Sequence, residues 1–366
     1  MTVHRERLEI VRTAERLGEI AAAWTRLWTR AGGYVFQSHG WISAWWHAVP
    51  DCDRRELKIV VAWRGDTLTA VMALATRRHH GLKVLEWAAK DCSDYGDVLV
   101  DPTADPELIQ RMWVQLSADG GFDMVYLSRL TPEAAARCLL ANTGPGAVPL
   151  HLGHRSETSF RVTGSWDSGD AWLQSQSKKF RQNHRRGHKL LGESGDVRFR
   201  LIPAGEPLEP VLERIAALKR QWLFKRDIKP SLFEEGAPML KALIRVLADY
   251  GLLRTFVLEC DGVIVAVTIN FIHRDTLMAF ITAYDAAYER ASPGMLLITG
   301  YIQWAFDQGL SEVDFLCGVE NFKDRLANSS AILSSVVGSK TLIGAAAVEF
   351  DRISHVLKRR YRQAQA

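Results

Sequence analysis

The stretch "AYDAAYERASPGMLL", residues 283–297, joins two kinds of periodicity. Upstream, "TLMAFITAY" (276–284) is a short apolar run rich in strand formers. Downstream, "GMLLITGYIQWAFDQ" (294–308) carries apolar residues at helical spacing. Between them lie a polar hook and the trio Ser292, Pro293, Gly294. Ser is a favoured N-cap, and Pro suits the first helical position because its missing N–H is unpaired there anyway. Gly removes a side chain where backbone N–H groups are free. The order therefore predicts a strand-to-helix crossover. Such a helix start offers free donors and the positive end of the helix dipole, which suits a phosphate. Arg290 adds a cation just upstream. A plain, well-formed helix start is the other reading of the same residues.

Outward from this crossover, "LRTFVLEC", Asp261–Gly262 and "VIVAVTINFIH" predict a hairpin before it. Gly309 predicts a helix stop after it, and "SEVDFLCGV" a last strand. The first half shows the same order: "LKIVVAW", Gly65, "LTAVMALATRR", "LKVLEWAA", a helix from about Pro106 to Ala118, a glycine pair and "DMVYLSRL". Laying Gly65 on Gly262 and Gly121 on Gly309 superposes the halves as a duplication. The expected fold class is α/β (α+β), with two domains at residues 1–164 and 165–345 and a closing amphipathic, basic-ended helix at 346–366. An early helix is expected over Ala14–Ala31, and Ser38 is expected to cap another carrying Trp41, Ile42, Trp45 and Trp46. A single helix from Asp170 to Leu191 should follow the join, then a pair over Pro207–Phe224 and Ala237–Tyr250.

The 366 residues suit two domains, and 47% hydrophobic with 24% charged residues is ordinary globular composition. A net charge of +4 does not by itself argue for nucleic acid. The five cysteines (Cys52, Cys92, Cys138, Cys260, Cys317) have no C-x-x-C spacing, which argues against a disulfide framework or zinc site and for a reducing cytoplasm. No apolar signal-like run opens the chain. "AILSSVVGSKTLIGAAAVEF" (331–350), broken by Lys340, reads as a strand and a helix and not as a membrane span. Walker A and G-x-G-x-x-G patterns are absent.

Three features could carry chemistry. Asp314 sits between Val313 and Phe315 in an otherwise apolar strand, where a carboxylate must be paired or put to use. It is either an ion-pair partner or a general base with a pKa raised by burial. Just beyond, Glu320 and Lys323 place an anion and a cation at the strand's carboxyl end, as an exposed pair or as an oxyanion or phosphate contact. The first half has Tyr126 in the place of Asp314 and lacks the S-P-G start, so a single active site belongs to the second half. Third, "SKKFRQNHRRGHK" (177–189) has six Lys or Arg and no acid; Lys178, Arg181, Arg185 and Lys189 fall near one helix face. That face could grip the phosphates of a nucleotide, a tRNA or an anionic lipid surface, or be merely solvated. Cys317, His79–His80 and the early Trp cluster read as core or surface residues, and no metal site is expected.

The run from "KKFRQNHRR" through "RTFVLECDGVIVAVTINF", "AYDAAYERASPGMLL" and "DFLCGVENFK" resembles the acetyltransferase domain of CelD-type proteins, named for bacterial cellulose biosynthesis. These are grouped with the GNAT N-acyltransferases and are similar to the FemAB aminoacyltransferases, which pair two GNAT-like domains. The match covers roughly residues 170–330, and "FQSHGWISAWW" (36–46) extends it loosely toward the start. The resemblance implies tandem GNAT-like domains, each a mixed, mainly antiparallel sheet flanked by helices. It implies acetyl-CoA or another acyl-CoA lying between two splayed strands, its pyrophosphate at Ser292, Pro293, Gly294 and Met295. The usual GNAT loop R/Q-x-x-G-x-G/A is incomplete here: Arg290 and Gly294 are present without the full spacing, while S-P-G is common in the CelD branch.

On this resemblance, transfer goes directly to an amine or hydroxyl of a small molecule or glycan. Asp314 would be base or acceptor anchor, Tyr284 acid or oxyanion donor, Asp285, Glu320 and Lys323 the acceptor side, and Arg181 and Arg185 phosphate contacts. A FemAB-like use of aminoacyl-tRNA and a non-catalytic scaffold in polysaccharide biosynthesis are the alternatives.

Overall fold

A computed structural model describes residues 6–141, 144–228, 232–318 and 320–364, with side chains as far as His355. The chain divides into two units, Met1–Glu157 with Ala331–Ala366, and Thr158–Ser330. In chain order the first stretch holds β1 (Arg7–Val11), α1 (Ala14–Glu19), α2 (Ala21–Ala31), α3 (His39–Ala48), β2 (Arg55–Leu57), β3 (Ile59–Arg64) and β4 (Thr67–Met72). Then come β5 (Leu74–His79), β6 (Leu82–Trp87), β7 (Leu99–Val100), α4 (Leu108–Asp119) and β8 (Met124–Leu130). The predicted early helix breaks at Ile20 into α1 and α2. Ser38 caps α3 by accepting the Trp41 N–H. Trp24 and Trp41 are core residues whose indole N–H groups donate to the Gln37 carbonyl (2.9 Å) and Ser93 Oγ (3.0 Å).

The rest of the chain forms β9 (Leu150–Thr163), α5 (Gly169–Ser175), α6 (Lys178–Gly192), β10 (Val197–Leu201), α7 (Glu209–Phe224), α8 (Pro238–Asp249), β11 (Leu253–Cys260) and β12 (Val263–His273). It continues with β13 (Thr276–Tyr284), α9 (Pro293–Asp307), β14 (Glu312–Cys317), α10 (Asn321–Leu326), β15 (Ser329–Ser339) and α11 (Leu342–Ala364). The helix predicted over Asp170–Leu191 is two helices. Ser177 starts α6 by accepting the Phe180 N–H at 3.2 Å, and the Arg181 guanidinium reaches back to the carbonyls of Gln174 and Gln176. Those bonds fix the break that hydrophobic spacing alone does not reveal.

The two units share one strand order. In the first, β1, β3 and β4 pair antiparallel in succession, as do β5 and β6; α4 then crosses to β8, which runs parallel to β6. In the second, β10, β11, β12 and β13 pair antiparallel, and α9 crosses to β14, parallel to β13. Asp261 (φ 49°) and Gly262 (φ 76°) both take the left-handed conformation that a tight β11–β12 turn requires. β12 runs unbroken, whereas its first-unit counterpart is interrupted at Ala73 into β4 and β5.

The strand that follows each crossover is exchanged. Ser159–Thr163 of β9 pairs antiparallel with β14 in the second unit, and Ser334–Ser339 of β15 pairs with β8 in the first. This pairing divides the chain inside β9 and β15, while the sequence reading places the join at Gly164 and carries the second domain to residue 345. The predicted 346–366 helix starts earlier, at Leu342; residues 365–366 and the side chains of its basic end lie outside the described residues.

Candidate active site

The second unit opens where two parallel strands part. β13 and β14 are paired only over Thr276–Met278 and Glu312–Asp314. Beyond that point β13 continues to Tyr284 beside β12, while β14 stays with β9 through Cys317 and Ser159. The wedge they leave is lined by backbone with no ladder partner across it. Asp314 sits where the wedge begins. Its Oδ1 accepts the Ser159 hydroxyl (2.9 Å) and the Leu316 N–H (2.8 Å), and its Oδ2 lies 3.2 Å from Arg161 Nε.

A side chain that accepts the N–H two residues ahead takes that group away from the strand ladder. Leu316 accordingly adopts φ 56°, and the β14–β9 register shifts between Asp314 and Cys317. Asp314 is therefore occupied as the partner of Arg161 and as the residue that bends β14. The ion-pair reading of the sequence describes its surroundings, and the general-base role finds no open face on it. Arg161 and Ser159 were not singled out from the sequence; only the register reveals them.

At the far end of β13 the chain makes a 3-10 turn (Ala286–Ala291) before α9. Asp285 caps that turn through the Ala287 N–H (2.9 Å) and is held by Arg214 at 2.7 Å. Burial pushes the Asp285 carboxyl up, but that N–H and the guanidinium outweigh it and leave its pKa lowered. It is a clamp on the turn, not a free acceptor contact. Ser292 precedes α9 at φ 54°, and its side chain makes no capping bond, contrary to the expected N-cap role. Its carbonyl instead accepts the N–H groups of Met295 (2.9 Å) and Leu296 (3.2 Å). With Pro293 lacking an N–H, the Gly294 N–H is the donor of this turn with no backbone acceptor.

Gly294 also has a packing reason. A Cβ there would lie 3.0 Å from Cδ1 of Tyr284, whose ring covers the helix start while remaining partly exposed. α6 packs on the same place: a Cβ at Gly187 would come within 2.7 Å of the Ala291 carbonyl oxygen. Phe180, His184, Gly187 and Leu191 form the inward stripe of α6, while Arg185, Arg186 and Lys189 are exposed. None of those three, nor Arg290, forms an ion pair among the described residues. Burial, then the neighbouring His188 ring, lowers His184 to about 4, so it is neutral at physiological pH. Arg181, by contrast, is engaged with the Gln174 and Gln176 carbonyls.

The carboxyl end of β14 gathers the remaining groups. Lys323 is buried, and its Nζ donates to the Cys317 carbonyl (2.6 Å) and pairs with Glu320 (3.0 Å). Gly318 (φ 129°) leaves them room, since a Cβ there would lie 2.3 Å from Glu320 Oε2. Two groups missed in the sequence face Glu320 electrostatically. Tyr301 of α9 is fully buried with its hydroxyl unpartnered, and burial, with Glu320 adding, pushes its pKa up. Lys219 of α7 has no ion pair among the described residues; burial lowers its pKa, opposed by Glu320 and aided by Lys323 and Arg226. Both sit in apolar helix stripes, which is why spacing reads them as core.

Two variants test these assignments. Arg161→Met should leave Asp314 buried without its cation and lower the unfolding free energy by about 3–5 kcal/mol in urea titration; a loss below about 1 kcal/mol would mean the pair is solvent-screened. Lys219 in its charged form costs the fold stability, and that cost is relieved as pH rises through its lowered folded pKa toward the ordinary lysine value. Lys219→Met should therefore be more stable than the parent at neutral pH, with the gap shrinking at alkaline pH; a gap independent of pH would contradict the assignment.

Residues 178–324 match the family model described as "Acetyltransferase (GNAT) domain". No curated protein matches the chain in sequence. Among solved structures, FemX is similar over 90% of this chain and 96% of its own at 9% identity, with a TM-score of 0.55. A tandem GNAT protein from the clavulanic acid biosynthesis pathway is similar over 92% of this chain and 99% of its own at 12% identity, with a TM-score of 0.51. A C-terminal domain assigned to a lysylphosphatidylglycerol synthetase of Agrobacterium fabrum is similar over 92% and 96% respectively, at 12% identity and a TM-score of 0.55. At these identities the likeness is one of fold, and it is the tandem fold expected from the duplicated sequence. The stretch matched by the acetyltransferase (GNAT) domain model, residues 178–324, is the one that contains the splayed β13 and β14 and the α9 crossover.

Proposed function

We propose that the second unit transfers an acyl group from acyl-CoA to an amine or hydroxyl. The observation that carries this reading is the short parallel pairing of β13 with β14, ending at Met278 and Asp314, with the unbonded Gly294 N–H at the start of the next helix. A thioester arm laid in the wedge can take the ladder bonds that the strands do not give each other. Its pyrophosphate then meets the Gly294 amide, Arg290, and the unpaired Arg185, Arg186 and Lys189 of α6. Attack by the acceptor on the thioester carbonyl carbon forms the new C–N or C–O bond and breaks the C–S bond, and the one proton the acceptor loses balances the one the departing thiolate takes up.

In this reading Tyr284, at the open end of β13, returns a proton to the departing thiolate. Glu320 lies on the acceptor side with Lys219, and Tyr301 is the buried donor beside it. Lys323 fixes the Cys317 carbonyl and orients Glu320, and Asp314 keeps the wedge open. The acceptor class this favours is a small molecule or glycan that carries an anionic group for Lys219 to meet.

A second reading, transfer of an aminoacyl group from tRNA, draws support from the exposed cations of α6. It requires tRNA binding that weakens steeply with salt and is lost in Arg185→Glu/Lys189→Glu. Isothermal titration of the folded chain with acetyl-CoA and longer acyl-CoAs separates the two. Acyl-CoA should bind, and Gly294→Val, which displaces the Tyr284 ring and crowds the free amide, should weaken it at least about tenfold, or about 1.4 kcal/mol. Absence of binding by every acyl-CoA would overturn the first reading.

A further inference from the structure

The helix α11 is set on the first unit the wrong way round for a soluble protein. Gly344, Val348, Asp351 and His355, spaced four, three and four apart, form its inward side. That side is held mainly by polar groups. Asp351 pairs with Arg155 and lies 3.2 Å from His154 Nε2, and the His154 and His355 rings are 4.6 Å apart. Gly344 sits against the Asp123 backbone, where a Cβ would not fit.

The opposite side is apolar and uncovered. Leu342, Ile343, Phe350 and Ile353 are 90%, 68%, 73% and 48% exposed, and Ala346 lies on the same stripe. In a packed helix this stripe would face the core. Here it faces away from it.

The charge of the segment indicates what covers the stripe. From Arg352 to the end of the sequence there are Arg352, Lys358, Arg359, Arg360 and Arg362, and no acid. A second copy of α11 brings no counter-charge, because its two acids are already engaged, Glu349 by Arg352 and Asp351 by Arg155. Anionic headgroups supply that charge, and the acyl boundary beneath them supplies an apolar phase for Phe350 and Ile353. No described helix is long and apolar enough to cross a bilayer, so α11 would lie along the surface.

We propose that α11 is an interfacial helix by which the chain docks on a membrane surface rich in anionic lipid. Its apolar stripe enters about 5–10 Å into the headgroup and acyl boundary, and the basic stretch adds salt-sensitive attraction. The inference stands independently of the transferase reading, since every residue it uses belongs to the first unit.

Vesicle flotation of the full chain tests it, using phosphatidylcholine alone and phosphatidylcholine with about 30 mol% phosphatidylglycerol. The chain should float with the anionic vesicles, remain below with the neutral ones, and be released by high salt. Phe350→Glu/Ile353→Glu should reduce partitioning at least about tenfold. Both side chains are exposed, so the variant should keep the parent's thermal unfolding midpoint. No flotation with anionic vesicles, or equal flotation of the variant, would overturn the proposal. So would a concentration-dependent dimer in light scattering that the variant abolishes while neither protein floats, since a second copy would then be the occupant.

Discussion

One hydrogen bond bends the strand that borders the second unit's opening: the Leu316 N–H donates to the carboxylate of Asp314. An edge between parallel strands is normally closed by a continuous ladder, and an open one exposes backbone groups that must find partners. Asp314 removes one such group from the ladder, and Leu316 takes the left-handed conformation that follows. Arg161 and Ser159 hold the buried carboxylate in place. β14 bends there, its pairing with β13 ends at Asp314, and its pairing with β9 resumes at Cys317. The α9 start, the Tyr284 ring and the α6 cations are arranged around the opening that results.

The first unit repeats the strand order with different chemistry. Its parallel pair, β6 and β8, is joined through Val84–Met124 and Leu85–Val125, and α4 starts without a side-chain cap. Tyr126 packs beneath the Lys90 ammonium, 5.0 Å from it, where the second unit has Asp314 in the aligned sequence. Arg129 also takes a positive φ near the end of β8, as Leu316 does in β14, so the strand kink is common to both units while the carboxylate is not. The exchange of β9 and β15 gives each unit a strand from beyond the other unit's crossover. A residue such as Arg161, late in the first half of the chain, consequently completes the carboxylate site of the second.

The architecture was largely legible in the sequence because it rests on local signals. Gly65 and Gly262 mark turns that need positive φ, Gly309 ends a helix, and apolar period changes across 283–297 from strand to helix. The separation of the strands was not legible, since it depends on Arg161 lying opposite Asp314. Sequence flagged Asp314 correctly as a carboxylate needing an explanation, but between ion pair and base only the register decides. Ser292 shows a similar limit: a good capping residue by type, it takes a left-handed backbone in which its hydroxyl does not cap. Lys219 and Tyr301 were hidden because an ionisable group in an apolar helix stripe has no sequence signature apart from its partners.

Amide hydrogen exchange on the chain with and without acetyl-CoA probes the wedge at the level of the bonds it leaves open. Protection should rise at Ala279–Tyr284, at Gly294–Leu296 and at Phe315–Cys317, the three segments that border the opening, and little elsewhere in the second unit. Binding that leaves these amides unchanged, or protects only α6, would contradict the placement of an acyl donor between β13 and β14.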